Sequence, residues 1–219
     1  MKLLGIDDAG RGPVLGPMIL AGVIIDSDKE HEVKALNAKD SKLLSPLQRK
    51  TIAEALRPKF KHFIVTSSPK QIDDSSNLNY LEAIKTAQII NHLTENLTEK
   101  TTAIVDCPSV NIESWSRDVQ KLLENPEKII LQCEHKADAN HPIVGAASIL
   151  AKESREEEMK KLRQEFKIDF GSGYPADPKT IKFIKENFDN KKYSSIIRFS
   201  WNTVKKLLKV KTSEQKKLF

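Results

Sequence analysis

The sequence has 219 residues, of which 39% are hydrophobic and 30% charged, and its formal net charge is +6. This length suits one substantial domain or a domain with an appendage. No apolar run approaches the ~20 residues of a membrane span, and the N-terminus lacks the regions of a signal peptide. We therefore expect a cytoplasmic protein without membrane association. Cys107 and Cys133 lack metal-ligand spacing and are expected to be reduced thiols.

The first predicted element is a strand, Lys2–Asp7, which delivers the adjacent carboxylates of Asp7 and Asp8 to its end. The turn Gly10-Arg11-Gly12 follows at once. Paired carboxylates are typical ligands of hard cations, and glycines let a backbone approach a sugar or phosphate closely. Together these features indicate a metal-dependent enzyme acting on a phosphodiester. A solvated turn is the alternative explanation of the acidic pair.

The next elements alternate between strands and helices. Met18–Ile25 is the second predicted strand, and a polar loop after it contains Lys42, which could hold a phosphate or be merely solvated. Ser45-Pro46-Leu47-Gln48 has the signature of a capping box and predicts a helix start. Phe60–Ser67 is predicted as the third strand, and the apolar periodicity of Leu78–Leu97 predicts a helix.

The second half continues with strand Thr102–Asp106, helix Ile112–Leu123 and strand Lys128–Cys133. A long helix is predicted from Pro142 to about Phe166, and a loop rich in glycine and proline follows. The order of elements predicts an α/β protein whose mixed sheet has helices on both faces and whose C-terminus is a helical lobe.

A second strand thus ends in a carboxylate, Asp106, and a further acid, Asp138, lies just before a helix. Strand ends gather distant acids at one edge of a sheet, and two divalent ions held by three or four carboxylates can hydrolyse a phosphodiester. The candidate metal ligands are Asp7, Asp8, Asp106 and Asp138. His135 could assist proton transfer, although a lone histidine in a loop is more often structural.

The C-terminal region is basic. Asp177-Pro178 predicts a helix running to about Asn187, and a last helix is predicted over Ser200–Val210, before a frayed polar end. Residues 191–219 hold nine lysines and arginines against one acid, Glu214. Such a stripe is either an electrostatic footprint for a polyanion or a solvated lysine-rich helix face.

Tyr174 lies in a glycine-rich loop, Gly171-Ser172-Gly173-Tyr174-Pro175. An aromatic residue on such a loop can stack on a sugar or a base. The alternative is a loop anchor whose ring packs on the core.

Several ordered motifs resemble those of archaeal ribonuclease HII, a family of the RNase H-like superfamily, and together they cover nearly the whole chain to about Thr203. They are Gly5–Pro13, Asp40-Ser41-Lys42, Val105-Asp106, His135–Asp138, Ala146–Lys152, Gly173-Tyr174-Pro175 and Arg198–Thr203. The resemblance implies an RNase H-like fold with a five-stranded mixed sheet. It also implies a catalytic core over 1–167, a substrate-binding helical extension over 168–210 and a flexible tail over 211–219.

The resemblance further implies a monomeric enzyme that uses Mg²⁺ or Mn²⁺ to cut RNA/DNA hybrids and duplex DNA containing ribonucleotides. The family's four acids correspond to Asp7, Asp8, Asp106 and Asp138. Its ribose-contacting residues correspond to Gly10, Arg11, Gly12 and Tyr174, and Lys42 is a further candidate for substrate binding. One position departs from the family, which usually has glutamate where this chain has Asp8, so direct ligation of both ions through the shorter carboxylate is open.

The last residues resemble a truncated sliding-clamp-binding peptide, in which Gln215, Leu218 and Phe219 correspond to part of the motif. A hydrophobic chain end without a partner is the alternative. Two other interpretations of the whole chain stay open: another RNase H-like nuclease or integrase, and a non-catalytic nucleic-acid-binding module with a decayed site.

Overall fold

A computed structural model describes residues 1–36 and 44–215, the side chains of residues 210–215 excepted. Its strands are β1 (Lys2–Ala9), β2 (Met18–Asp26), β3 (Lys61–Ser67), β4 (Thr101–Asp106) and β5 (Ile129–Glu134). They form one sheet in the order β3-β2-β1-β4-β5. β1 is antiparallel to β2 and parallel to β4, which is parallel to β5. The predicted α/β fold with a mixed five-stranded sheet is confirmed.

The helices are α1 (Glu30–Ala35), α2 (Pro46–Lys59), α3 (Pro69–Asp74), α4 (Leu78–Thr94), α5 (Ile112–Lys121), α6 (Ala137–Asn140), α7 (Pro142–Phe166), α8 (Pro178–Asn187) and α9 (Asn202–Gln215). Helices α1, α3 and α6 are short and were not predicted from the sequence. The last helix continues to Gln215, beyond its predicted end at Val210. None of the helices in the described ranges has the length and apolarity needed to cross a bilayer.

The start of α2 is determined by the local sequence. The Ser45 side chain accepts a hydrogen bond from the Gln48 amide at 3.3 Å, and the Gln48 side chain accepts one from the Ser45 amide at 2.9 Å. This reciprocal pair is the predicted capping box, which satisfies amides that the helix itself leaves unpaired. Ser68 and Gln71 form the same box at the start of α3.

The chain divides into two compact units, each assembled from separate segments. The first comprises Met1–Ala9, Ile19–Thr66 and Asn77–Ser154, and it contains most of the sheet. Its core includes Val23, Ile104 and the first turns of α7. A Cβ on Gly5 would collide with the backbone of Ile143, so glycine at this point of β1 allows α7 to pack directly against the strand.

The second unit comprises Gly10–Met18, Ser67–Ser76 and Arg155–Phe219. Aromatic rings dominate its core: Phe183 meets Tyr193 edge to face with ring centroids 5.1 Å apart, and Phe166 meets Tyr193 at 5.4 Å. Val14, Leu15 and Ile197 are buried in the same cluster. This core ties the segment that follows β1 to residues near the C-terminus.

Candidate active site

Three of the four predicted acids stand near the carboxyl ends of adjacent parallel strands in the first unit. β1 carries Asp7 and Asp8 close to its end, and β4 ends at Asp106. Their parallel register pairs Ile6 with Val105, so Asp7 and Asp106 are the next residues along the two strands. The topology therefore brings together carboxylates that lie far apart in the sequence.

Asp7 is the buried member of this group, with 5% of its surface exposed. Its Oδ1 accepts a hydrogen bond of 2.7 Å from the Asp8 amide. Burial, followed by the charge of Asp8 and then of Asp106, raises the pKa of Asp7 well above its usual range, against a lowering effect of the hydrogen bond with Ser148. Negative charge is thus costly at this position, and a bound cation would remove that cost.

Asp138 lies next to Ala137, whose amide is hydrogen-bonded to Asp106 at the end of β4. The Ala137 amide donates to Asp106 Oδ1 at 2.9 Å. Lys136 has a left-handed conformation with φ of 60°, which turns the chain into the short helix α6. Asp138 follows Ala137 directly and is 3% exposed. The turn after β5 therefore places the fourth acid one residue from a group bonded to Asp106.

The donor atoms at this edge are carboxylate oxygens, which Mg²⁺ and Mn²⁺ prefer. Among the side chains that the structure describes, those of residues 1–36 and 44–209, no three His, Cys, Asp or Glu are grouped closely enough to hold a metal ion. Successive residues of a strand, such as Asp7 and Asp8, point to opposite faces. Mg²⁺ commonly keeps several waters and binds through one or two carboxylates plus substrate phosphates. The donor chemistry fits an ion at such an open site, and convergence of all four acids on two ions stays a prediction.

A fifth acid, Glu82, was not predicted from the sequence and lines the same small cavity as Asp7, Asp8 and Asp106. Glu82 is 1% exposed and lies on the buried face of α4 with Thr86. Ile84, on the same helix, is 37% exposed. The available signal was an acid at a helix position that faces the core.

His135, the candidate proton-transfer residue, is exposed. Its Nδ1 lies 3.1 Å from the carbonyl oxygen of Cys107. This contact joins the chain after β4 to the chain after β5, which is the structural role considered for it, and a catalytic role stays a prediction.

Gly10, Arg11 and Gly12, here called the glycine turn, belong to the second unit. Gly10 has φ of 83°, a conformation that strongly favours glycine. A Cβ on Gly12 would meet no described atom within 4 Å. Glycine at position 12 therefore leaves open space over the backbone, and glycine at position 10 lets the chain turn.

Arg198 supports the glycine turn through hydrogen bonds to its backbone. This fully buried residue donates three hydrogen bonds to backbone carbonyls, to Gly10 at 2.7 Å, Arg11 at 3.0 Å and Gly16 at 2.9 Å. Trp201 Nε1 donates to the Gly12 carbonyl at 3.2 Å. The motif Arg198–Thr203 had no role predicted from the sequence, and these contacts identify its arginine as the support of the turn.

Tyr174 lies in residues 171–177, here called the tyrosine loop. Its side chain is among the exposed large hydrophobic groups, at 44%. The ring lies over the guanidinium of Arg155, 5.3 Å from ring centroid to Cζ. The Gly173 carbonyl, one residue earlier, accepts the amides of Val14 at 2.8 Å and Leu15 at 3.2 Å. The second unit thus bonds the loop to the segment that follows the glycine turn.

Helix α9 presents its lysines to solvent. Lys205, Lys206 and Lys209 are exposed, whereas Val204 is buried and Leu207 packs against the aromatic core.

Lys42 lies outside the described residues, as do Leu218, Phe219 and the side chain of Gln215.

Comparisons with known proteins agree over the length of the chain. The family model described as Ribonuclease HII matches residues 4–204. A ribonuclease HII of Pyrococcus furiosus is 40% identical over 98% of this chain and 96% of its own. The crystal structure of ribonuclease H2 from Pyrococcus horikoshii superposes with a TM-score of 0.82 at 35% identity, covering 94% of this chain and 97% of that one. The ribonuclease HII of Archaeoglobus fulgidus, solved as a complex with PCNA, superposes with a TM-score of 0.80 at 35% identity, covering 92% of this chain and 96% of that one.

Proposed function

The chain belongs to the ribonuclease HII family and is an endonuclease of the hydrolase class, and from this premise we propose which bonds it cuts and how. It cleaves the RNA strand of RNA/DNA hybrids, and it cuts the phosphodiester 5′ of ribonucleotides embedded in duplex DNA. The products carry 3′-hydroxyl and 5′-phosphate ends. The observation that carries this proposal is the group of carboxylates around the buried Asp7, whose raised pKa reflects burial and the charges of Asp8 and Asp106.

Asp7, Asp8, Asp106 and Asp138 would hold two divalent ions, Mg²⁺ or Mn²⁺. Such ions supply an activated water and neutralise charge on the leaving oxygen. The chain's own groups orient the acids: the Asp8 amide and Ser148 fix Asp7, and the Ala137 amide fixes Asp106.

A cleavage assay on two substrates tests this proposal. The substrates are an RNA/DNA hybrid and a DNA duplex with one ribonucleotide, each incubated with Mg²⁺ and with Mn²⁺. We expect both to be cut, the second once, on the 5′ side of the ribonucleotide, with a 5′-phosphate downstream. Cleavage 3′ of the ribonucleotide, or a 3′-phosphate product, would contradict the proposed reaction.

Ribose recognition falls to the glycine turn and Tyr174. A 2′-hydroxyl both donates and accepts, so a site that recognises it needs fixed polar groups close to the sugar. Arg198 and Trp201 hold the turn's carbonyls in place, and each carbonyl oxygen has a second lone pair. Tyr174 offers an exposed ring to the adjacent sugar and its hydroxyl to the ribose or its phosphate.

Tyr174→Phe should lower the rate of cleavage at a single ribonucleotide by about 5-fold, which is the effect expected from the loss of one hydrogen bond. Tyr174→Ala, which also removes the stacking ring, should lower it by about 100-fold. Single-turnover kinetics measure both. Tyr80→Ala is the matched control, because Tyr80 is 45% exposed but lies in the first unit on α4. Full activity and full ribose preference in Tyr174→Ala would make Tyr174 a loop anchor.

Asp8→Glu should raise activity about 10-fold or widen the range of metals that support it, because the longer side chain regains the reach usual in the family. Titrating Mg²⁺ and Mn²⁺ against the cleavage rate measures this change. Asp28→Glu, at an exposed position away from the acids, is the control. Unchanged or lower activity at every metal concentration would show that the backbone around Asp8 is adapted to aspartate.

Neutralising Lys205, Lys206 and Lys209 together with Gln should weaken binding to all duplexes alike. It should also reduce the slope of log affinity against log salt by up to about three. Each phosphate contact releases counterions when the duplex binds, so a variant with fewer contacts releases fewer of them. Fluorescence anisotropy across salt concentrations measures both. This proposal assigns the basic face of α9 to duplex binding.

The matched control replaces three other exposed lysines, Lys50, Lys70 and Lys121, whose charges are balanced by acids one helical turn away. Their replacement should leave the salt slope within about half a unit. A loss of affinity confined to ribonucleotide-containing duplexes in the α9 variant would contradict the electrostatic role.

The tail is proposed to contact a sliding clamp through Gln215, Leu218 and Phe219. Support comes from their resemblance to a clamp-binding peptide and from the Archaeoglobus fulgidus relative, which was solved with PCNA. Binding of a purified archaeal clamp to the chain with and without residues 215–219 tests this contact. Equal binding by both would overturn it.

A further inference from the structure

Arg155, on α7, is a buried cation to which the chemistry above gives no role. It is 4% exposed, and within the described part of the chain no carboxylate lies within ion-pair distance of it. Its Nη2 reaches the Leu15 carbonyl oxygen at only 3.5 Å, and its buried Nε has no hydrogen-bond partner among the described residues. The lost hydration of this guanidinium is therefore poorly replaced.

Stability does not account for such a residue. Burying a cation is costly unless carboxylates or several hydrogen bonds compensate it, and burial accordingly lowers the pKa of Arg155. Arg198, buried in the same unit, is compensated by three hydrogen bonds of 2.7–3.0 Å. An apolar side chain of similar length would fill the space of Arg155 at lower cost, which indicates that the guanidinium serves another purpose.

The contacts of Arg155 join the two elements assigned to ribose recognition. A Cβ on Gly10 would collide with Cδ and Nε of Arg155, so the side chain lies directly against the glycine turn. On the other side, a Cβ on Gly173 would lie 3.3 Å from its Nη2, and the Tyr174 ring lies over its Cζ at 5.3 Å. A planar cation under an aromatic face is attracted to the ring and limits its tilt.

We propose that Arg155 is a positioning residue for ribose recognition, which fixes Tyr174 relative to the glycine turn without touching the substrate. The proposal rests on the proposed function, because Tyr174 must contact the ribose for its position to matter. Misplacing a substrate-positioning group by about 1 Å can cost about 100-fold in rate. The effect of Arg155 should therefore pass through Tyr174 and act on the cleavage step more than on duplex binding.

A double-mutant cycle between Arg155→Met and Tyr174→Ala tests this coupling. Arg155→Met alone should lower single-turnover cleavage at one ribonucleotide by about 10-fold or more, with duplex affinity changed less than about threefold. In the Tyr174→Ala background the same change should cost less than about twofold. Arg155→Lys, which retains a cation near the ring, should recover at least about threefold over Arg155→Met.

Two measurements without substrate separate positioning from general structural support. Thermal unfolding of Arg155→Met should occur at the wild-type temperature or above, whereas Arg198→Met, the matched buried arginine, should unfold at a lower temperature. Hydrogen exchange in residues 171–176 should rise in Arg155→Met, because the ring loses its support.

Additive effects of the two substitutions, or a lower unfolding temperature together with an equal loss of duplex binding, would overturn the proposal. Failure of the proposed function would differ from these outcomes, because the wild-type protein would then not prefer ribose. In that case unchanged hydrogen exchange in the tyrosine loop of Arg155→Met would still overturn the positioning role, and raised exchange would support it.

Discussion

Replacing Asp106 or Asp7 by Asn should reduce cleavage at an embedded ribonucleotide by about a thousandfold or more, because each change removes a carboxylate from the proposed metal-binding edge of the sheet. Asparagine keeps an acceptor for the Ala137 amide at position 106 and for the Asp8 amide at position 7. Both variants should therefore fold and bind duplex with nearly wild-type affinity. Single-turnover kinetics and anisotropy measure the two properties separately.

The stability of Asp7→Asn should move in the opposite direction to its activity. The pKa of Asp7 is raised in the folded protein, chiefly by burial, above the value of about 3.9 expected in the unfolded chain. The unfolded chain therefore loses this proton first, and the free energy of unfolding falls as pH rises from about 4 through the raised pKa. Without metal at neutral pH, Asp7→Asn should unfold at a higher temperature than wild type and lose this part of the pH dependence.

Asp118→Asn is the control for both measurements, because Asp118 lies on α5 and pairs only weakly with Lys121 at 3.7 Å. It should leave cleavage and stability unchanged. Near wild-type cleavage by Asp106→Asn would show that the acid is not a ligand, and a lower unfolding temperature of metal-free Asp7→Asn would contradict the electrostatic account of its burial.

Arg198→Met should destabilise the protein by about 3 kcal/mol, or roughly 6–12 °C in the unfolding temperature, because three backbone carbonyls lose a charged donor. It should also lower cleavage at a ribonucleotide, because the carbonyls of Gly10 and Arg11 lose their fixed orientation. Thermal unfolding and single-turnover kinetics of the purified variant measure these effects.

Arg163→Met is the matched control in the same unit, since the half-buried Arg163 donates one longer hydrogen bond of 3.3 Å, to the Gly171 carbonyl. Its loss should cost about 1 kcal/mol and leave ribose preference intact. Equal stability of Arg198→Met and wild type would mean that the turn keeps its shape without the arginine.

Local signals in the sequence were enough to predict most elements. The capping box at Ser45 and the proline at position 142 are local signals within a few residues, and both helices begin where they were predicted. The box at Ser68 has the same pattern, but α3 spans only six residues and offers no periodicity. The four residues of α6 follow a left-handed Lys136, which no periodic pattern indicates.

The acids and the supporting arginines differ in how far sequence could identify them. Asp7 and Asp106 each end an apolar run, so strand geometry alone placed them at one sheet edge. Arg198 bonds carbonyls that lie 182–188 residues away in the sequence, and only the folded second unit shows that contact. Glu82 lies on a helix that was predicted from its apolar residues, and only the fold shows that this acid is buried among them.

The most direct test of the account compares three duplexes that differ at one sugar only, which carries a 2′-hydroxyl, a hydrogen or a 2′-O-methyl group. With Mg²⁺ or Mn²⁺, we expect cleavage 5′ of the ribose alone, while all three duplexes bind with similar affinity through phosphate contacts. Chelation of the metal should stop the reaction. Equal cleavage of the deoxyribose duplex, or binding without cleavage at every concentration of both metals, would contradict the account.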